Sequence, residues 1–229
     1  MDLYDVIKKG QCETQKIIVG FSGGKDSVCL LALCKKYFRT VYVFYMYYVD
    51  HCTLQDNYFR YIENRYRVKI LHVPHFELSD IYKEQKYMHK SIELSRVPKI
   101  YFSDIENYVR DFFQCNWIAY GMMAYESIER QAMINEHGGV DYKHSKLFPL
   151  AFWNSSKVFQ YLKLNKILPP TEYQFSERSL SCPFFPDAQI MLQSYYPDDW
   201  AKVENKFPLA NVIHARDVFQ YRRGSYVQQ

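Results

Sequence analysis

The chain lacks the clustered cysteines that hold a metal. Its six cysteines are scattered, with no adjacent pair and no C-x-x-C spacing; they are Cys12, Cys29, Cys34, Cys52, Cys115 and Cys182. Because zinc ribbons and iron–sulfur clusters need several thiolates close together, the sequence predicts neither zinc nor an iron–sulfur cluster. Scattered cysteines are typical of reduced thiols, so we expect a cytoplasmic protein.

The chain also lacks a long apolar run and a large excess of one charge. Its longest apolar run, Val41 to Val49, is too short to cross a membrane and is typical of a buried strand. The segment from Met1 to Gly10 has no apolar stretch like that of a secretory leader, so we expect no membrane partner. The net charge of +4 does not by itself indicate a nucleic-acid partner and fits an anionic small molecule equally well.

Hydrophobic residues make up 48% of the 229 residues, enough for a sizeable core. Strand-like segments are expected at residues 16–20, 40–49, 68–73 and 115–120, and helix-like segments at 1–11, 28–37, 54–67, 101–113 and 155–164. The stretch 76–99 is expected to be a helical excursion. The alternation of strands and helices predicts a doubly wound, mainly parallel α/β sheet, in which ligands bind beyond the carboxyl ends of the strands.

A loop with two adjacent glycines follows the first strand. It consists of Ser22, Gly23, Gly24, Lys25, Asp26 and Ser27. The glycines let backbone N–H groups turn toward an anion, and the next helix offers its positive N-terminal end. Lys25 can neutralise a phosphate, and the two serine hydroxyls can donate to it. The loop is therefore predicted to hold a phosphate; the alternative is a plain turn with a solvated Lys25–Asp26 pair.

This loop differs from a Walker A loop, which needs G-x-x-x-x-G-K followed by Ser or Thr. Val19 stands where the first glycine would be, and Asp26 follows Lys25 in place of the hydroxyl that binds magnesium. The sequence therefore disfavours a GTPase or a motor ATPase.

A second polar segment follows the fourth expected strand, with Gly121, Glu126, Ser127 and Arg130 in the order G-x-x-x-x-E-S-x-x-R. Glu126 and Arg130 are four residues apart and are expected on one helical face, where an ordinary surface ion pair is the alternative. With the phosphate loop upstream, we expect Arg130 to be a second cation at the anionic end of a ligand, oriented by Glu126.

Together, the SGGKDS loop and the Gly121–Arg130 segment resemble the phosphoadenosine phosphosulfate (PAPS) reductase family of the PP-loop ATP pyrophosphatases, over about residues 15–190. The resemblance implies a nucleotide-binding α/β domain over residues 1–145, of the adenine nucleotide alpha hydrolase-like kind, with a helical C-terminal extension over residues 146–229 packed on it; the alternative is one continuous domain. It implies that the loop residues, Asp50, Gly121, Glu126 and Arg130 bind an adenine nucleotide.

The chain departs from this family at its cysteines. Relatives often carry a C-x-x-C pair where this chain has Cys182 and Phe185, and reductases carry a cysteine near the C-terminus, where residues 214–229 have none. Cys182 is expected to be either a nucleophile toward sulfur or an inert buried thiol. The tail residues Arg216, Tyr221, Arg222 and Arg223 are either a clamp for an anion or a solvated end.

The resemblance leaves three functions open. The leading prediction is an adenylating enzyme that uses Mg²⁺ and ATP, with Lys25, Asp26 and Arg130 as catalytic residues, Asp26 and Asp50 contacting metal or ribose, and an unknown acceptor. The second is a thioredoxin-dependent PAPS reductase that uses Cys182. The third is a nucleotide-binding regulator without turnover.

Overall fold

The computed structural model describes residues 2–174 and 182–211. These residues form a six-stranded sheet in the order β3-β2-β1-β4-β6-β5. The strands are β1 (Lys16–Gly20), β2 (Thr40–Tyr47), β3 (Ile70–Pro74), β4 (Ile118–Ala119), β5 (Val140–Asp141) and β6 (Lys146–Leu147). All neighbouring pairs are parallel except β5 with β6. The predicted doubly wound, mainly parallel α/β fold is confirmed.

The strand order reverses at β1, which has β2 on one side and β4 on the other. In open α/β sheets, a crevice for ligands forms at such a reversal, beyond the carboxyl ends of the strands. The SGGKDS loop leaves β1 at this point, so the fold itself places the loop where a ligand is expected.

The helices are α1 (Leu3–Glu13), α2 (Lys25–Tyr37), α3 (Thr53–Tyr66), α4 (Glu77–Lys83), α5 (Ile92–Ser95), α6 (Phe102–Phe113), α7 (Ile128–His137), α8 (Ser155–Leu164), α9 (Pro186–Tyr195) and α10 (Pro197–Lys206). Local signals explain several of their starts: Asp2 caps α1, Asn154 caps α8, and proline opens both α9 and α10. Within residues 2–174 and 182–211, no helix combines the length and hydropathy that a membrane crossing requires.

The core lies on both faces of the sheet. On one face, α2, α3 and α8 pack against Val19, Val43 and Tyr45. On the other face, α6 and α7 pack against Ile18 and Phe44. Because both faces are covered, the central strands are apolar along their whole length, which is why they read as continuous apolar runs.

The C-terminal helices α9 and α10 form a further apolar cluster with α4, built around Leu78, Met191, Trp200 and Phe207. The extension therefore packs on the helix that follows β3, at the carboxyl edge of the sheet.

Three elements differ from the sequence prediction. The fourth strand forms only over Ile118–Ala119, because its partner β6 offers just two residues for pairing. The stretch expected as one helical excursion divides into α4 and the one-turn α5. The second strand ends at Tyr47, so Asp50 lies in the turn beyond it.

Candidate functional site

The SGGKDS loop is held by its own hydroxyl groups. Gly23 has a φ of +80°, which favours glycine, and Gly24 is the N-cap of α2. Ser27 Oγ donates to the Gly24 carbonyl at 2.9 Å and lies 3.3 Å from Ser22 Oγ. The Gly24 N–H donates to Ser22 Oγ at 3.4 Å. The serine hydroxyls thus hold the loop in one conformation through contacts within it.

Lys25 and Asp26 form an ion pair, with Lys25 Nζ 2.8 Å from Asp26 Oδ2. Lys25 is only 8% exposed, and its ammonium lies 5.8 Å from the ring centroids of both Phe159 and Tyr173. The alternative of a solvated Lys–Asp pair is therefore wrong. The ammonium is partly stripped of water, which strengthens its attraction to an anion.

The second carboxylate oxygen of Asp26, Oδ1, is buried and has no hydrogen-bond partner in the part of the chain that the structure describes. Burial raises the pKa of Asp26 above its ordinary value, Lys25 partly offsets this rise, and Glu126 adds to it. A buried carboxylate oxygen without a partner is costly unless a cation or a donor occupies the space before it. Asp26 therefore fits a divalent cation, and Glu126 is a second carboxylate near it.

Tyr173 covers the first amide of α2. Its hydroxyl accepts a hydrogen bond of 3.4 Å from the Lys25 N–H, and burial raises the pKa of Tyr173 to about 12. The N-terminal amides of a helix are the groups that bind phosphate in such loops. Sequence reasoning missed Tyr173, because it lies 148 residues from Lys25 and no local motif marks it.

Gly121 brings the end of β4 against the loop. A Cβ at Gly121 would lie 3.2 Å from the backbone carbon and oxygen of Asp26, closer than an ordinary contact. Gly121 therefore has a packing role, since it lets the two backbones approach.

Glu126 and Arg130 form the expected ion pair, between Glu126 Oε2 and Arg130 Nη1. The expectation that both lie on one helix is wrong: Glu126 ends a 3₁₀ turn, Ala124–Glu126, and α7 begins at Ile128. Ser127 caps α7 by accepting from the Arg130 N–H at 3.1 Å. The cap fixes the start of the helix and so the position from which Arg130 extends.

A cleft of about 610 Å³ opens beside the loop, at the carboxyl ends of β1 and β2. It is lined by polar groups that include Ser22, Arg130, His75 and Cys182, and by apolar and aromatic side chains: Phe44, Met46, Phe76, Phe102, Tyr120 and Met122. A concave, mostly apolar cavity of several hundred Å³ with a few polar groups is typical of a small-ligand site. The cleft is large enough for a nucleotide.

Cys182 lies in this cleft beside Tyr48. Burial raises the pKa of the Cys182 thiol above its ordinary value, and the Glu77 carboxylate adds to the rise. Tyr48 donates its hydroxyl hydrogen to Glu77, and the Tyr48 ring stacks on His75 with centroids 4.4 Å apart. Burial also lowers the pKa of His75. The surroundings of Cys182 in the cleft therefore disfavour the thiolate, which is the nucleophilic form of a cysteine.

Of the predicted site residues, Ser22, Arg130 and Cys182 line the cleft. The others do not, although the resemblance implied nucleotide contacts for them; they are Gly23, Gly24, Lys25, Asp26, Ser27, Asp50, Gly121 and Glu126. Asp50 lies in the turn after β2. Its Oδ1 lies 2.7 Å from His72 Nδ1 on β3. The tail residues Arg216, Tyr221, Arg222 and Arg223 lie outside the described residues, so neither a clamp nor a solvated end is tested.

The reversal of strand order and the glycine-containing loop at its edge define the class of the protein: a PP-loop α/β protein. A family model described as the phosphoadenosine phosphosulfate reductase domain matches residues 16–182. The chain belongs to this family, because the match covers more than half of it. The match contains the loop, the Gly121–Arg130 segment and Cys182. No curated protein matches the chain.

Solved structures with a similar course of the chain include three enzymes. The NH₃-dependent NAD synthetase of Campylobacter jejuni has a TM-score of 0.46 and 12% identity, covering 91% of this chain and 94% of its own. The PAPS reductase of Candida auris has a TM-score of 0.49 and 12% identity, and the alignment covers 76% of this chain and 84% of the reductase chain. The FMN adenylyltransferase of Candida glabrata has a TM-score of 0.44 and 17% identity, and the alignment covers 70% of this chain and 50% of the adenylyltransferase chain.

Proposed function

We propose that the cleft binds ATP and that the protein cleaves ATP between the α- and β-phosphates, transferring AMP to an acceptor. The observation that carries this proposal is the Asp26 carboxylate, which has one buried oxygen without a hydrogen-bond partner among the described residues and lies beside a buried lysine at the N-terminus of α2. This combination suits a metal–polyphosphate group better than a neutral ligand, because both charges are held in a site that excludes much of the water.

The cleft supplies both halves of a nucleotide site. Its apolar and aromatic wall, including Phe44, Phe102 and Tyr120, offers surfaces on which a base can pack. Ser22, which belongs to the loop, and Arg130 are part of the same lining. A nucleotide with its base against this wall would carry its phosphates toward the loop. A phosphate oxygen then replaces the Tyr173 hydroxyl as the acceptor of the hydrogen bond from the Lys25 N–H.

The residues also fit Mg²⁺, which ATP carries as its usual counterion. Asp26 and Glu126 would hold it through their carboxylate oxygens, since hard oxygen ligands are the ones that Mg²⁺ prefers. When bound, Mg²⁺ neutralises charge on the phosphates and makes the pyrophosphate a better leaving group.

The side chains of the chain account for the remaining charge. In the transfer, an acceptor oxygen forms a bond to the α-phosphorus while the bond to the bridging oxygen breaks, and the electron pair leaves with pyrophosphate. Lys25 stabilises the growing negative charge on this leaving group. Arg130, held in place by Glu126, offers a second cation to the transferred phosphoryl group. No covalent intermediate on the protein is required.

A second candidate, PAPS reduction with thioredoxin, is favoured by the position of Cys182 in the cleft. It needs a thiolate that attacks sulfur, and the raised pKa of Cys182 opposes this. The adenylation proposal therefore accounts for more of the site.

Release of labelled AMP and of pyrophosphate from α-labelled ATP with Mg²⁺ tests the proposal. We expect Lys25→Ala to lower the rate by about 100-fold or more, because it removes a cation that acts in the transition state. Lys36→Ala is the matched control: it makes the same change at the exposed far end of α2 and leaves the rate unchanged. Cys182→Ser retains most of the rate.

Sulfite release from PAPS with reduced thioredoxin, lost in Cys182→Ser, would contradict adenylation and establish the reductase. If calorimetry shows that a nucleotide binds but neither nucleotide is turned over, the result would contradict adenylation and support a nucleotide-binding regulator.

A further inference from the structure

Asp50, His51 and His72 bring three metal-ligand side chains together at the carboxyl edge of the sheet. One ligand atom from each lies within 4.8 Å of the others. His72 Nδ1 is 2.7 Å from Asp50 Oδ1, and His51 Nε2 is 3.6 Å from Asp50 Oδ2. The cluster lies outside the cleft and is separate from the Asp26 carboxylate.

The backbone builds this cluster from two adjacent strands. His72 lies on β3 opposite Tyr45 of β2, and the chain leaves β2 to turn back at His51. His51 has a φ of +54°, a left-handed conformation that costs a non-glycine residue about 1 kcal/mol. The Asp50 carboxylate secures the turn by accepting from the His51 N–H at 2.9 Å. The turn thus directs the imidazole of His51 to the side where His72 lies.

A fourth group that can ligate a metal, the carboxylate of Asp56, lies beside the three ligands. Asp56, in the first turn of α3, has Oδ2 3.6 Å from His51 Nδ1. The two carboxylates contribute negative charge, and two lysines lie close by. Lys202 Nζ is paired with Asp199 and also donates to the His51 carbonyl, and the charge of Asp50 acts on Lys206. His51 has a side chain that is 77% exposed, so it can rotate toward a bound ion without disturbing the core.

We propose that Asp50, His51 and His72 form a binding site for a divalent transition-metal ion, with Zn²⁺ as the probe. Two imidazole nitrogens and one carboxylate suit Zn²⁺ and its first-row neighbours, whereas Mg²⁺ prefers oxygen ligands alone. In a tetrahedral site with bonds of about 2.1 Å, ligand atoms lie about 3.4 Å apart. In the cluster, the two histidine–Asp50 separations are 2.7 and 3.6 Å and the three ligand atoms lie within 4.8 Å of one another, so small side-chain rotations bring them to this spacing.

The site is one side chain away from the phosphate loop. The Phe59 ring lies 5.9 Å from the ring of His72, and a Cβ on Gly23 would lie 3.0 Å from Phe59. A metal ion here would tie the turn after β2 to β3 behind Phe59 and so stiffen the support of the loop.

Calorimetric titration of the full chain with Zn²⁺ tests this proposal. We expect one strong site in the wild-type protein and a loss of affinity of about 10- to 100-fold or more in His51→Ala, because a ligand is removed. His51 is exposed, so the variant folds. His144→Ala is the matched control, since His144 Nδ1 also lies 2.7 Å from a carboxylate, that of Asp141. His137 Nε2 lies 3.9 Å from the same carboxylate, but among the described residues these three groups do not bring their ligand atoms within 4.8 Å of one another. His144→Ala leaves the affinity unchanged.

Two further readouts separate the site from other ligands. Co²⁺ bound by nitrogen and oxygen shows no thiolate-to-cobalt charge-transfer band, so such a band would place the metal on a cysteine and overturn the proposal. Asp26→Asn is expected to keep Zn²⁺ affinity, which separates this site from the nucleotide site. Equal Zn²⁺ affinity of the wild-type protein and His51→Ala would also overturn it.

Discussion

At the residue scale, Asp26 shows how a site can hold strain that its ligand relieves. Its carboxylate is partly buried, and the loss of hydration together with Glu126 outweighs the favourable contact with Lys25, so its pKa is raised. A raised pKa means that the ionised form is destabilised in the folded chain. We infer that the chain retains this unfavourable charge because a cation–phosphate group needs it.

The substitution Asp26→Asn tests this inference. Removing the unsatisfied charge is expected to raise the free energy of unfolding of the ligand-free protein at pH 7 by about 1 kcal/mol. The same change is expected to remove the Mg²⁺-dependent part of the stabilisation by ATP. Thermal and urea unfolding with and without Mg²⁺ and ATP measure both effects.

The pH dependence of the stability difference between wild type and Asp26→Asn follows from the raised pKa. Because the folded pKa lies above the ordinary value of 3.8, the wild-type protein loses stability as the pH rises from that value through the folded pKa. The variant does not titrate there, so its advantage appears in that range, persists at neutral pH and vanishes in acid. A variant that is less stable than wild type at pH 7 would show that the Lys25–Asp26 ion pair dominates instead.

Several residues could be predicted from the sequence alone, and others could not. The loop residues and the Glu126–Arg130 pair are local patterns, and the structure shows them in contact as expected. Tyr173, His72 and the burial of Lys25 depend on segments that meet only after folding, and no local spacing marks them. The two histidines of the proposed metal site lie 21 positions apart, so no local spacing marks them either.

At the scale of elements, the phosphate loop depends on one backbone conformation. Gly23 has a φ of +80°, and an added Cβ would lie 3.0 Å from Phe59, so two independent effects oppose a side chain there. Gly24 has a φ of −77°, which any residue can adopt.

Gly23→Ala is therefore expected to cost about 1 kcal/mol or more of stability and to lower ATP affinity by about tenfold, because the loop must change shape. Gly24→Ala is the matched control for stability and costs less. Urea unfolding and calorimetry with ATP measure the two quantities. Equal stability losses in the two variants would show that backbone conformation does not decide the shape of the loop.

The sequence predicted the central elements better than the peripheral ones. The bounds of β1 and α8 agree with the expected segments, because apolar continuity marks the first and a capped amphipathic pattern marks the second. The short strands β5 and β6 have two residues each and leave no periodic signal. Helix α7 begins at Ile128, after Glu126, whereas the sequence predicted Glu126 and Arg130 on one helix. The Ser127 cap determines this start, and the spacing of the charges does not.

At the scale of the whole molecule, the cleft is a product of topology. The reversal of strand order at β1 opens the crevice, and the chain after β4 approaches the loop at Gly121. Cys182, from the C-terminal part of the chain, completes the lining. The sequence predicted the fold class and the place of the loop, since both follow from alternation of strands and helices. It could not predict the composition of the cleft, because the lining residues come from segments far apart in the chain.

The change in melting temperature on adding nucleotide tests the central proposal most directly, since a ligand that binds only the folded state stabilises it, by about 2.7 kcal/mol at a concentration of 100 Kd. We predict that ATP with Mg²⁺ raises the melting temperature of the wild-type protein more than PAPS does, and that Lys25→Ala loses most of this rise. A larger rise with PAPS, or no rise with either nucleotide, would contradict the proposal.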